Sequence, residues 1–167
     1  MKWIDFAELF NERRDLSSTL RTYKHIPEYA AVYLFLINPS EKFGETETDI
    51  VYIGETHRLG RRESNCRLWD YKTKATDHEK RKMASMEKYQ ADHKTMISWL
   101  PCFNKYIAKK LEHTLLNAFW SEHGKNPPLN LTTPYTREET WGISVDETLK
   151  MMRKMKTLGQ VAPVFGY

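Results

Sequence analysis

The chain has 167 residues, with 26 Lys and Arg against 22 Asp and Glu, for a formal net charge of +4; that length suits a single domain with a sizeable core, and the modest basic excess permits nucleic-acid binding without requiring it. Only Cys66 and Cys102 occur, far apart, which excludes a disulfide framework and fits a reducing, cytoplasmic setting. No leader sequence and no apolar run of membrane length is present, so no membrane partner is expected.

Along the chain, Trp3 to Arg14 reads as an amphipathic helix with Ile4, Phe6, Ala7, Leu9 and Phe10 at or near its apolar face. Ser17-Ser18-Thr19 breaks that pattern ahead of Pro27. Ala30 to Ile37 is almost continuously apolar, as expected for a central strand covered on both faces. The polar connection Asn38 to Glu45 then predicts an antiparallel hairpin to a second strand, Asp49 to Gly54. A helix is expected from Leu59 or Gly60 through Arg67, Leu68 and Tyr71. Residues 63–94 read as an inserted helical segment, with Met83, Met86 and Tyr89 at helical spacing. Thr95 to Leu100 supplies a third strand, ended by Pro101. Asn104 caps a helix that carries Glu112 and runs to His123 before Gly124. A last helix, Val145 to Leu158, starts at Ser144 with Glu147 three residues on, and Gly159 to Tyr167 is extended. The expected fold is therefore α/β in the α+β sense, a small, mostly antiparallel sheet of three strands flanked by helices. Residues 30–130 form its core, and residues 1–29 and 131–167 are terminal embellishments of one domain.

Glu112 carries the sharpest chemical signal. Its helical neighbours are Ala108, Leu111, Leu115, Leu116 and Phe119, and a carboxylate amid an apolar face must be compensated. A divalent cation, Mg²⁺ or Mn²⁺, would do so, and so would a buried ion pair. Tyr33 and Tyr52 lie on adjacent strands, where they are either ordinary core tyrosines or two phenols sharing one polar site. Arg58, Arg61, Arg62 and Arg67 form a solvated basic face or a set of phosphate contacts. Tyr71, Lys72, Lys74, Lys80, Arg81, Lys82, Lys88 and Lys94, with Trp69 and Tyr89, could line a DNA groove. Asp70, Asp77, Glu79, Glu87 and Asp92 dilute that charge, so a merely solvated helix stays open. Asn130 follows Pro127-Pro128 as a turn residue or a brace. His57 is a loop histidine beside the second strand. Cys66, His78, His93 and Cys102 show no zinc-ligand spacing.

Ala31-Val32-Tyr33, Tyr52-Ile53-Gly54, Arg62, Glu112 and Asn130 together resemble, in order and spacing, the GIY-YIG nuclease superfamily, with AVY for the first tripeptide and YIG intact. The resemblance implies a metal-dependent DNA endonuclease in which water attacks the phosphodiester directly. Tyr33 would be the general base, Tyr52 would position water or phosphate, Arg62 would clamp the phosphate, Glu112 would hold the metal and Asn130 would brace the site. His57 would contact the phosphate or leaving group. One departure stands out: Cys66 occupies the position one turn after Arg62, where the family usually has Tyr or His, whereas Arg67 is followed one turn on by Tyr71. Arg67 and Tyr71 are thus the alternative pair. By analogy a stand-alone restriction-type enzyme fits best, with a homodimer as one arrangement on DNA. A repair or mobile-element nuclease, a non-cleaving nucleic-acid-binding module on the same fold, and a structural or interaction protein remain the other readings.

Overall fold

The computed structural model describes residues 8–10, 12–26, 28–60, 66–102 and 104–130, together with Glu147, Lys150, Arg153 and Lys154, which are helical. In chain order the elements are β1 (Arg14–Asp15), α1 (Leu16–Arg21), β2 (Ala30–Phe43), β3 (Thr46–Thr56), α2 (Arg67–Thr73), α3 (Asp77–Tyr89), β4 (Lys94–Cys102) and α4 (Lys105–His123). The strands form one antiparallel sheet in the order β1-β4-β2-β3.

The apolar run predicted as a central strand occupies the middle of the sheet, buried from Ala30 to Ile37. Alternation along β2 divides its side chains between two cores. Val32, Leu34 and Leu36 face Leu111, Leu115, Leu116 and Phe119 of α4. Ala31, Tyr33, Phe35 and Ile37 face α1, α2 and α3 through Leu16, Leu20, Leu68, Tyr71, Met83 and Met86. Asn104 caps α4 as expected, its side chain accepting from the Ile107 amide at 3.0 Å, and Gly124 ends it at φ +71°, where glycine carries no Cβ penalty.

Several boundaries differ from the sequence reading. The sheet has four strands, not three. The additional one, β1, is a two-residue edge strand pairing Arg14 with Ile97 and Asp15 with Met96, too short to leave any periodicity. Of the expected N-terminal helix, residues 1–7 and 11 lie outside the described residues, and Glu8–Phe10 is a single 3-10 turn. Ser17-Ser18-Thr19 is helical, because Asp15 caps α1 by accepting from the Ser18 amide at 2.7 Å. The hairpin is longer than its apolar part: polar residues continue pairing as far as Phe43 with Thr46, leaving Gly44, at φ +69°, and Glu45 as the turn. Pro101 sits within β4. The arginine helix starts at Arg67; Leu59 and Gly60 precede it as non-helical chain. The caps and most of the expected last helix, including Ser144, lie outside the described residues. Among the described residues no helix is long and apolar enough to cross a membrane.

Candidate active site

Register places Tyr33 opposite Gly54, with Tyr52 two positions earlier on the same face of β3. A methyl group at Gly54 would come within 2.8 Å of both the Tyr33 and Tyr52 hydroxyl oxygens and 2.6 Å of Tyr52 Cε1. The missing side chain is therefore what lets the two phenols converge. A third phenol arrives from α2: the Tyr71 hydroxyl lies 2.8 Å from that of Tyr33, with either able to donate. Phe35 packs beside the cluster, its ring centroid 5.5 Å from Tyr52 and 5.1 Å from Tyr71. Tyr33 and Tyr71 are each 1% exposed and Tyr52 is 8% exposed. Burial pushes all three phenols well above the ordinary value near 10.

Arg67 is placed by the chain just after β3. Its amide donates to the Arg58 carbonyl at 2.9 Å, and the Leu68 amide donates to the Leu59 carbonyl at 3.1 Å. Those contacts satisfy two of the amides that a helix start leaves without intrahelical partners. One guanidinium nitrogen donates to Glu79 Oε1 at 3.0 Å, and Glu79 also accepts from the Thr76 hydroxyl. Burial favours loss of the arginine charge. The phenol oxygens of Tyr33, Tyr71 and Tyr52 and the Glu79 carboxylate outweigh it, and the guanidinium stays charged. Arg67 Nε is buried with no hydrogen-bond partner among the described residues.

Two further charged groups act on the phenols, one from α3 and one from α4. Lys82 of α3 is buried, and its Nζ lies 3.4 Å from the centroid of the Tyr52 ring. Burial and the neighbouring Arg67 push its pKa down to about 7. Glu112 of α4 is half-buried among the apolar neighbours the sequence assigned to it, and burial together with the Glu55 charge pushes its pKa up to about 7. Glu112 in turn helps hold the proton on Tyr52. Glu55 follows Gly54 on β3, and its Oε2 is buried without a hydrogen-bond partner among the described residues.

The raised pKa of Glu112 makes a stability prediction that needs no substrate. An unfolded glutamate ionises near 4.5, the folded one near 7, so the folded state holds the proton more tightly. The benefit is fully present below pH 4.5 and is lost as pH rises through 7. At pH 8 ionised Glu112 costs roughly 2–3 kcal/mol. Glu112→Gln is therefore expected to melt above wild type at pH 8 and level with it at pH 4, read by thermal denaturation across that range. Equal melting at both pH values would contradict the strained carboxylate.

Asn130 clasps the outer edge of β3. Its Oδ1 accepts from the Ile53 amide at 2.9 Å and its Nδ2 donates to the Ile53 carbonyl at 2.7 Å, while the Leu129 amide donates to the Val51 carbonyl at 2.8 Å. This fixes the segment between Tyr52 and Gly54. Tyr33, Tyr52, Tyr71, Arg67, Glu112 and Asn130 thus meet around one end of β3. Arg61 and Arg62 lie outside the described residues. His57 is exposed in the loop, Arg58 pairs with Glu28 at 3.2 Å, Lys72 stands over the Tyr23 ring at 5.2 Å and Lys74 pairs with Glu87 at 2.9 Å. Tyr71 belongs to the buried phenol cluster and lines no surface groove.

The sequence reading gave Glu55 no role, counted Glu79 among the acids that dilute a basic face and placed Lys82 only among residues that could line a DNA groove. Glu79, Lys82, Met83 and Met86 follow the i, i+3, i+4, i+7 spacing of a single helix face, and all four are buried. The methionine spacing was legible, but the two charged members disguised the stripe as a solvated surface. A cleft of about 400 Å³ lined by Arg13, Asp49, Glu122 and His123, among others, contains none of the groups around the phenols. Among the described residues no group of three or more His, Cys, Asp or Glu side chains is arranged to hold a metal ion. No family model, curated protein or solved structure matches the chain.

Proposed function

We propose that the chain is a metal-dependent DNA endonuclease of the GIY-YIG type, hydrolysing phosphodiester bonds by direct attack of water. The observation that carries this reading is the convergence of the Tyr33 and Tyr52 hydroxyls over Gly54, with Arg67 on one side and Glu112 coupled to Tyr52 on the other. Tyr52, the least buried phenol, holds the water; Tyr33 acts as a phenolate, favoured against burial by the Arg67 charge and hydrogen-bonded by the Tyr71 hydroxyl, and it takes the water's proton to end as a neutral phenol. Arg67, rather than Arg62, neutralises charge on the scissile phosphate, since its guanidinium already faces the phenols and keeps donors to spare. Glu79 orients Arg67, and Asn130 keeps β3 in register.

The carboxylates fit a divalent ion: Glu112 and the unpartnered oxygen of Glu55 repel each other, and a hard cation would relieve both. Mg²⁺ or Mn²⁺ held there would act as a Lewis acid on the leaving oxygen and cancel the charge that now keeps the Tyr52 proton in place. Exposed Lys72, Lys80, Arg81 and Lys88 on α2 and α3, with Lys74 just after α2, suit the DNA backbone, a restriction-type setting being the biological use favoured by analogy.

A second reading, a non-cleaving nucleic-acid binder, is favoured by the near-complete burial of Tyr33 and Tyr71. Supercoiled plasmid separates the two. With Mg²⁺ the nuclease yields nicked or linear DNA, and with chelator it yields neither. Plasmid that is bound yet stays intact with both Mg²⁺ and Mn²⁺ would establish the binder.

A further inference from the structure

Lys82 is an anomaly that the mechanism so far leaves unused. Its residue is 7% exposed, so its ammonium has been taken out of water. Among the described residues it forms no close ion pair and no hydrogen bond; the Glu112 and Glu79 carboxylates favour its charge from a distance, and its ammonium sits over the face of the Tyr52 ring, 3.4 Å from the centroid. A cation over an aromatic face recovers only part of its hydration. A structural lysine would normally reach a carboxylate or snorkel to the surface, and this one does neither. Across the same phenols, Arg67 Nε is likewise a buried donor without a partner. Arg67 is paired with Glu79 through one nitrogen only, so two cationic groups from two different helices keep unused donors around one cluster of hydroxyls. A further anion between them would engage both.

We propose that Lys82 is a second cationic contact to the scissile phosphate, delivered by the inserted helix α3 and acting with Arg67 on the non-bridging oxygens. This inference rests on the nuclease reading and adds a residue to it. The inserted segment then has a catalytic purpose besides any contact with the DNA surface: it brings a second cation to the phenols. On phosphate entry the ammonium exchanges the Tyr52 ring for an oxyanion. Its charge is then matched, and burial strengthens the pair instead of opposing it. A point charge suffices at this position, whereas the planar fork of Arg67 fixes orientation.

The test compares wild type with Lys82→Met and Lys82→Arg on supercoiled plasmid in Mg²⁺, with thermal melting alongside. Methionine conserves length and removes a buried charge, so Lys82→Met is expected to fold at least as stably as wild type. Its kcat is expected to fall roughly 10²-fold or more, while Lys82→Arg stays within about tenfold of wild type. In chelator, the slope of log affinity for duplex DNA against log salt is expected to drop by about 0.9 in Lys82→Met, the signature of one lost phosphate contact. Wild-type cleavage with an unchanged kcat and salt slope in Lys82→Met would overturn this assignment and leave the nuclease intact. Absence of cleavage by wild type would overturn both.

Discussion

Arg67→Met is expected to lower the single-turnover rate of plasmid cleavage by roughly 10²–10³-fold. It should also destabilise the fold. Glu79, whose side chain is 4% exposed, has its ion pair to Arg67 at 3.0 Å, and removing the arginine strands a buried carboxylate. Breaking a buried pair from one side costs about 3–5 kcal/mol. The two effects can be separated by adding Glu79→Leu. The double variant replaces the pair with apolar volume, so most of the lost stability should return while the lost cleavage should not. Arg67→Lys keeps the charge without the fork and should fall between. Arg62→Ala is expected to leave the rate within the order of magnitude of wild type. A collapse of activity in Arg62→Ala with little effect of Arg67→Lys would return the clamp to Arg62. Single-turnover kinetics and thermal melts of the five proteins decide the matter.

Removing either hydroxyl from the pair over Gly54 should be nearly as damaging. Tyr33→Phe and Tyr52→Phe keep their rings, and with them the packing against Phe35 at 5.8 Å and 5.5 Å between centroids. The loss of a positioned general base is worth roughly 10²–10⁴-fold in rate. Tyr33→Phe carries an additional structural signature. It leaves the Tyr71 hydroxyl buried without its partner 2.8 Å away, at a cost of about 1–3 kcal/mol. Combining it with Tyr71→Phe removes both halves of that hydrogen bond and should recover most of the stability without recovering cleavage. Full activity in Tyr33→Phe would remove Tyr33 from the chemistry and leave it as a core residue.

The parts of this fold that were legible in the sequence are those where burial and period agree. Ala30 to Ile37 is apolar on both faces because β2, paired along both edges, is covered by a core on each face. The helix of Glu112 announced itself through Asn104, Gly124 and an unbroken apolar stripe. What escaped was set by contacts rather than pattern. Residues 41–43 and 46–48 are mostly polar and exposed or half-exposed, yet they pair, resuming the hairpin beyond a break in register after Leu36. Leu59 looked like the start of a helix, but its carbonyl and that of Arg58 instead receive the first amides of α2. That arrangement brings Arg67 to the phenols. In the candidate site, Glu112 was visible because a charge stood out against apolar neighbours. The burial of Lys82 and Glu79, read as groove-lining or solvated charges, was hidden for the converse reason, since on a helix rich in Lys, Arg and Glu a buried charge looks like every exposed one.

The most direct measurement sets wild type and Glu112→Gln side by side on supercoiled plasmid in Mg²⁺, with a chelator control and DNA binding measured in parallel. The variant is expected to be folded, and at pH 8 more stable than wild type, so loss of activity in it cannot be blamed on misfolding. Metal-dependent nicking or linearisation by wild type, with none by a Glu112→Gln protein that still binds DNA, is the expected result. Equal cleavage by the two proteins, or wild-type cleavage undiminished by chelator, would contradict a hydrolytic centre built around Glu112.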